Sequence, residues 1–156
     1  MNRRTFLASL PTIAFAGCAT RLGLVDRVVV AEKYVETVDR DDAERERELA
    51  RRRYRVDDEE PTYEGAIHAS LADDVDETAP LVLATSTGDE LEREFLEVRY
   101  GIVACEPSDE ASRDCRELRL FLDDFNEIEV GDVVDLRVSD DGAGLVSVHQ
   151  RRDERG

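Results

Sequence analysis

Few residues in this chain could do chemistry, and their spacing narrows what that chemistry could be. There are three cysteines, Cys18, Cys105 and Cys115, and two histidines, His68 and His149. Nine residues separate Cys105 from Cys115. Redox-active pairs usually stand two apart at a helix N-terminus, so a structural disulfide is the expectation. Closing a loop of that size stabilises a fold by about 2–3 kcal/mol in the chain-entropy model. The sequence holds no G-x-S-x-G elbow and no S-x-x-K motif, either of which would mark a nucleophilic serine. Neither histidine sits in H-E-x-x-H or a comparable zinc spacing, so both read as isolated surface residues. A hydrolase would have to assemble His68, Ser70 and an acid through folding. Gly142 and Gly144 lie in a turn with no helix signal after it, which excludes a phosphate-cradling loop. With 38 acids in the chain, no acid–base pair stands out from its background. The clusters Asp39-Asp41-Asp42 and Asp123-Asp124-Asn126-Glu127 lack the alternating ligands, sixth-position Gly and twelfth-position Glu of a calcium loop. The expectation is a chain with no catalytic residues, metal or cofactor.

The third cysteine belongs to a different context. Arg3 and Arg4 precede an uncharged apolar stretch from Phe6 to Gly17, about a dozen residues and too short to span a bilayer. A basic start, a short apolar core and small residues before a cysteine make an export signal. Asn2-Arg3-Arg4-Thr5-Phe6-Leu7 resembles the twin-arginine motif, which routes folded chains to export. Phe15-Ala16-Gly17-Cys18 resembles a lipobox, with Phe15 where Leu is usual. That resemblance implies that Cys18 is lipidated and becomes the new N-terminus. Two long acyl chains at about 0.8 kcal/mol per buried methylene would hold a soluble domain firmly to a membrane.

The balance of charge points the same way. The 38 acids outnumber the 21 bases for a formal net charge of -17, and Lys33 is the only lysine beside 20 arginines. Cleavage before Cys18 would leave residues 18–156, and losing Arg3 and Arg4 would take the charge from -17 to -19. Such acidity argues against nucleic-acid binding, which needs clustered positive charge. An acidic, lysine-poor chain with a twin-arginine lipoprotein signal resembles haloarchaeal exported lipoproteins. At molar salt the screening length falls to about 3 Å, so crowded carboxylates barely repel and keep the surface hydrated. The expected address is the outer face of the cell membrane, reached through lipid on Cys18, with an envelope protein or surface component as the possible partner.

These residues need elements to position them. Residues 1–17 read as the signal, 18–23 as a short tether, 24–150 as one β-rich domain and 151–156 as a frayed tail. Leu24 to Val38 is dense in β-branched residues and predicts a strand. Asp39 to Tyr54 carries acids early and arginines late, which predicts an exposed charged helix. Alternation predicts strands over 63–71 and 81–85, with a turn at Gly88-Asp89. Residues 90–95 allow either a helical turn or the start of a strand.

Around the cysteine pair the pattern is sharper. Placing Cys105 opposite Cys115 puts Ile102 against Leu118, Tyr100 against Leu120 and Val98 against Leu122, apolar on one face throughout. A final hairpin pairs Val138 with Val146 and Leu136 with Val148 across a five-residue loop. The fold class is mainly β: a small antiparallel barrel or sandwich of six or seven strands with one exposed charged helix, or otherwise α+β. Val130-Gly131-Asp132-Val133-Val134 and the hairpin after it resemble small OB-type barrels, a likeness that carries no site residues over.

Overall fold

The structure, a computed structural model, describes residues 25–55, 57–108 and 114–155. Its frame is β1 (Asp26–Val38), a thirteen-residue strand rich in valine. Opposite β4 (Glu97–Cys105), Val30 pairs with Ala104 but Glu32 pairs with Val103, so Ala31 is an extra residue. That bulge bends the strand and inverts the alternation. Val28 and Val30 face the core before it, and Lys33 and Val35 after it, while Glu32, Tyr34 and Glu36 turn outward. A second bulge at Leu49 in β2 (Glu46–Arg53) lets Leu49 and Ala50 both be buried.

Seven antiparallel strands make one sheet in the order β3-β2-β1-β4-β5, with β6 (Val133–Ser139) on the first residues of β1 and β7 (Gly142–Gln150) on β6. Here β3 is Thr62–Tyr63 and β5 is Cys115–Leu120. The neighbour order β6-β1-β4-β5 brings the last third of the chain back beside the first strand, and β7 extends that edge. β5 and β7 approach each other without forming a ladder. The sheet is therefore not closed, and the molecule is sandwich-like rather than the expected alternative of a barrel.

Helices α1 (Thr85–Glu94) and α2 (Leu122–Glu127) cover the inner face. Leu81, Leu83, Phe125, Ile128 and Leu136 are almost wholly buried there with Val30, Val35 and Leu49. Burying a side chain of this kind is worth about 1.5–3 kcal/mol. Gly88 lies inside α1 rather than in a turn, where the end of the Leu122 side chain and the Tyr100 hydroxyl pack close to its Cα.

Several local expectations are corrected. The charged helix expected over 39–54 is instead a loop and strand β2. Its arginines reach acids across strands, Arg53 to Glu32 at 2.7 Å and Arg52 to Glu129 at 3.2 Å, and its apolar residues enter the core. Of the strand expected over 63–71 only Tyr63 pairs, together with Thr62 before it; Gly65 has φ 69°, which turns the chain away. Residues 81–84 are extended but join no strand. Asn126 takes the partner's place, its amide donating to the Leu83 carbonyl (2.8 Å) and its carbonyl accepting from the Leu83 amide (3.0 Å). The final hairpin turns on Asp140-Asp141, pairing Val138 with Ala143 and Leu136 with Leu145. Val146, expected inside, is exposed. The frayed tail is ordered as far as the 3-10 turn Arg152–Arg155.

On the outer face Tyr34 lies flat over Gly101, its cross-strand partner, and under the Arg51 guanidinium 4.5 Å from the ring centroid. A Cβ at Gly101 would stand 2.2 Å from the Tyr34 ring. Gly101→Ala is expected to lower stability by about 1–3 kcal/mol through this overpacking, read as a lower urea midpoint. Tyr34→Ala in the same chain should make the glycine replacement nearly neutral. An equal loss in both backgrounds would show that the ring is not the obstacle.

Candidate functional site

The cysteine pair is the best-defined of the expected sites. β4 and β5 set Cys105 opposite Cys115, with the sulfurs 2.12 Å apart. Ile102–Leu118 and Tyr100–Leu120 pair in the expected register. Val98–Leu122 does not, because β5 ends at Leu120 and Leu122 opens α2. Cys105 is buried and Cys115 exposed, beside a cavity of about 660 Å³ that Val25, Asp26, Arg27, Glu106 and Arg116 help to line. Cys18, Arg3 and Arg4 lie outside the described residues.

The structure brings His68 and Ser70 together, but as a local turn. The Ser70 amide donates to His68 Nδ1 at 3.2 Å, which caps the 3-10 helix Ala69–Leu71, and the Ser70 hydroxyl lies 3.0 Å from the same nitrogen. A general base needs a lone pair aimed at its nucleophile and a third group orienting its other nitrogen. Among the described residues no carboxylate bonds the other nitrogen of His68. His149 is exposed on β7, remote in sequence and on another strand. Of the acidic clusters, Asp124 accepts the Leu145 amide at 3.1 Å and Asn126 is committed to Leu83. Among the described residues no group of three or more His, Cys, Asp or Glu could hold a metal ion.

The most unusual chemistry sits where sequence reasoning placed nothing. Lys33 is fully buried on the inner face of β1, directly opposite Arg52 of β2, which is only 4% exposed. Like charges in that relation repel. Neighbouring groups offset the repulsion. Lys33 Nζ donates to the carbonyls of Ile128 (2.6 Å) and Leu81 (2.8 Å) and stands 4.2 Å over the Phe125 ring. Arg52 pairs with Glu129 and stacks on Tyr63 at 5.0 Å. Asp132, itself buried, accepts the amides of Glu129 and Arg152 at 2.9 Å each and so closes the turn before β6. Burial brings the Lys33 pKa down to about 7, with Glu129 and Asp132 opposing the shift and Arg52 adding to it. The ammonium has no path to solvent, so this cluster is a strut that ties β1 to the 81–84 segment and the end of α2. The one available signal was a lone lysine inside a strand rich in valine.

The unclosed seam between β5 and β7 carries two of the large apolar side chains exposed among the described residues. A cavity of about 490 Å³ lies there, bounded by Leu120, Phe121, Arg137, Leu145 and Val146 among others. Phe121 is 82% exposed and Val146 51%. Geometry of this kind suits binding better than bond-making, since it offers apolar area and arginine but no nucleophile–base pair. Compared with protein-family models, curated proteins and solved structures, the chain matches none.

Proposed function

We propose that this chain is an exported lipoprotein of a halophile: a non-catalytic binding or structural domain held by lipid on Cys18 at the outer face of the cell membrane. The observation that carries the non-catalytic part is where the buried charges go. Lys33 and Asp132 bind chiefly to the chain's own backbone carbonyls and amides, so they serve the fold. The address rests on the Arg3-Arg4 signal and the Phe15-Ala16-Gly17-Cys18 motif, and a cysteine pair at bonding distance suits an oxidising compartment. A small exported hydrolase is the second reading, favoured by the 3.0 Å approach of His68 to Ser70.

Intact-mass analysis of the membrane-extracted protein tests the proposal. Expected are cleavage before Cys18, an added diacylglyceryl-type lipid mass, and the loss of two hydrogens at Cys105 and Cys115. A chain that keeps Met1 and an unmodified Cys18 would overturn the anchored reading, and free thiols at both positions would remove the disulfide.

A further inference from the structure

The binding half of the proposed function leaves its partner open, and the exposed corner around Phe121 narrows it. Leu118 and Leu120 of β5 are buried, so the next residue, Phe121, turns outward where α2 begins. The Phe125 amide donates to the Phe121 carbonyl at 2.9 Å, which fixes that junction as the first turn of the helix. The exposed ring borders two hollows at once: the seam of about 490 Å³ toward β7, and a second of about 450 Å³ between β4 and the start of α2. An aromatic ridge held beside a partly apolar hollow has the shape of an interface anchor. Val146, also exposed, widens the apolar surface on the β7 side.

The charges on this corner select the occupant. Arg119 is held by Glu97 at 2.8 Å. Arg137 and Asp141 are exposed, line the seam and have no ion-pair partner among the described residues. They belong to one hairpin but do not pair with each other, since Arg137 stands opposite Gly144 while Asp141 lies at the tip. A purely acidic or purely basic partner would satisfy one of them and repel the other. A second copy turned about a two-fold axis satisfies both, because each residue meets its opposite across the axis. With Arg119 neutralised, these two charges balance on a chain of net charge -17, so two copies meet there without setting acid against acid, and molar salt screens the remaining repulsion beyond about 3 Å. We infer that this corner is the two-fold contact of a homodimer, in which the Phe121 ring of each copy seats in the β5–β7 hollow of the other and Arg137 pairs with the partner's Asp141.

This rests on the non-catalytic binding reading and not on the lipid anchor. Sedimentation of the detergent-extracted chain at molar salt, with the detergent density-matched, reads the mass. A dimer is expected, and Phe121→Ala should weaken it at least tenfold, or about 1.4 kcal/mol. Arg137→Asp and Asp141→Arg should each weaken it as well, because one sets acid against acid across the axis and the other arginine against arginine. Mixing those two variants should restore a dimer tighter than either forms alone, since both contacts then join opposite charges. All three substitutions are at exposed positions, and far-UV dichroism checks that each variant keeps the fold. A parent chain that stays monomeric up to about 0.1 mM would leave the corner to a foreign partner and overturn the assignment. So would a dimer indifferent to Phe121, or charge variants that gain nothing when mixed. A monomer with a lipidated Cys18 removes only the pairing, whereas a dimer of unlipidated chains removes only the anchor.

Discussion

Lys33→Ala should lower the stability of the domain by about 3–5 kcal/mol. The estimate joins the cavity left by a long buried side chain, about 2–5 kcal/mol in comparable truncations, to the orphaned carbonyls of Leu81 and Ile128. A buried acceptor left unpaired costs about 1–3 kcal/mol, and relief of the like charge opposite Arg52 returns part of this. Lys33→Met keeps most of the volume and removes the hydrogen bonds, so its loss should be about 1–3 kcal/mol. Denaturant unfolding in molar salt measures both. A methionine variant at least as stable as the parent would mean that desolvating the ammonium costs more than its bonds return, the outcome known for some buried ion pairs.

The same residue gives the domain a pH signature with a definite sign. The Lys33 pKa is about 7 in the folded chain against an ordinary 10.5. Below 7 both states hold the proton, and the difference between parent and methionine variant should be flat. Between 7 and 10.5 the unfolded chain holds a proton that the folded chain has released, so the parent gains stability relative to the variant as pH rises. The slope is at most about 1.4 kcal/mol per pH unit. A difference that stays constant across this window would show that the ammonium remains charged when buried.

Lowering salt from molar to millimolar should unfold the chain, seen as loss of its β-sheet signal in far-UV dichroism. Outward-facing side chains form ion-pair networks: Glu32 holds Arg51 and Arg53, and Arg99 is shared among Glu36, Glu46 and Glu97. Dilution strengthens such pairs, but exposed ones are worth only about 0–1 kcal/mol each. Against them stands a net excess of 17 negative charges. The screening length grows from about 3 Å to about 30 Å over this range, so acids across the whole domain come to repel one another. Repulsion should win. A spectrum unchanged by dilution would remove the halophilic reading.

The residues explain why some of this fold was legible beforehand and some was not. The β4–β5 pair could be read because two independent constraints, apolar alternation and the cysteines, demanded one register. Residues 39–54 misled because glutamate and arginine four apart support a helix as well as they support cross-strand pairing, and only the neighbours β1 and Glu129 decide between them. Leu81 and Leu83 alternate as a strand should, but the group that satisfies their backbone is the Asn126 side chain, 43 residues away. The last hairpin slipped because Gly142 and Gly144 both offered a turn and the acids Asp140 and Asp141 took it. The Lys33–Arg52–Glu129 cluster was hidden for a general reason: composition shows that a lysine is rare, and only packing shows that it is inside.

Ala31 is the one position in β1 where this chain could lose a residue without turning itself inside out. Without it Val30 and Glu32 would stand next to each other as their partners Ala104 and Val103 already do, so Lys33, Val35 and Thr37 would keep their inward side and only the bend would go. A residue dropped later in the strand would instead exchange the two faces, so in an otherwise similar gene a gap after Lys33, and not one at Ala31, would mark a different molecular interior.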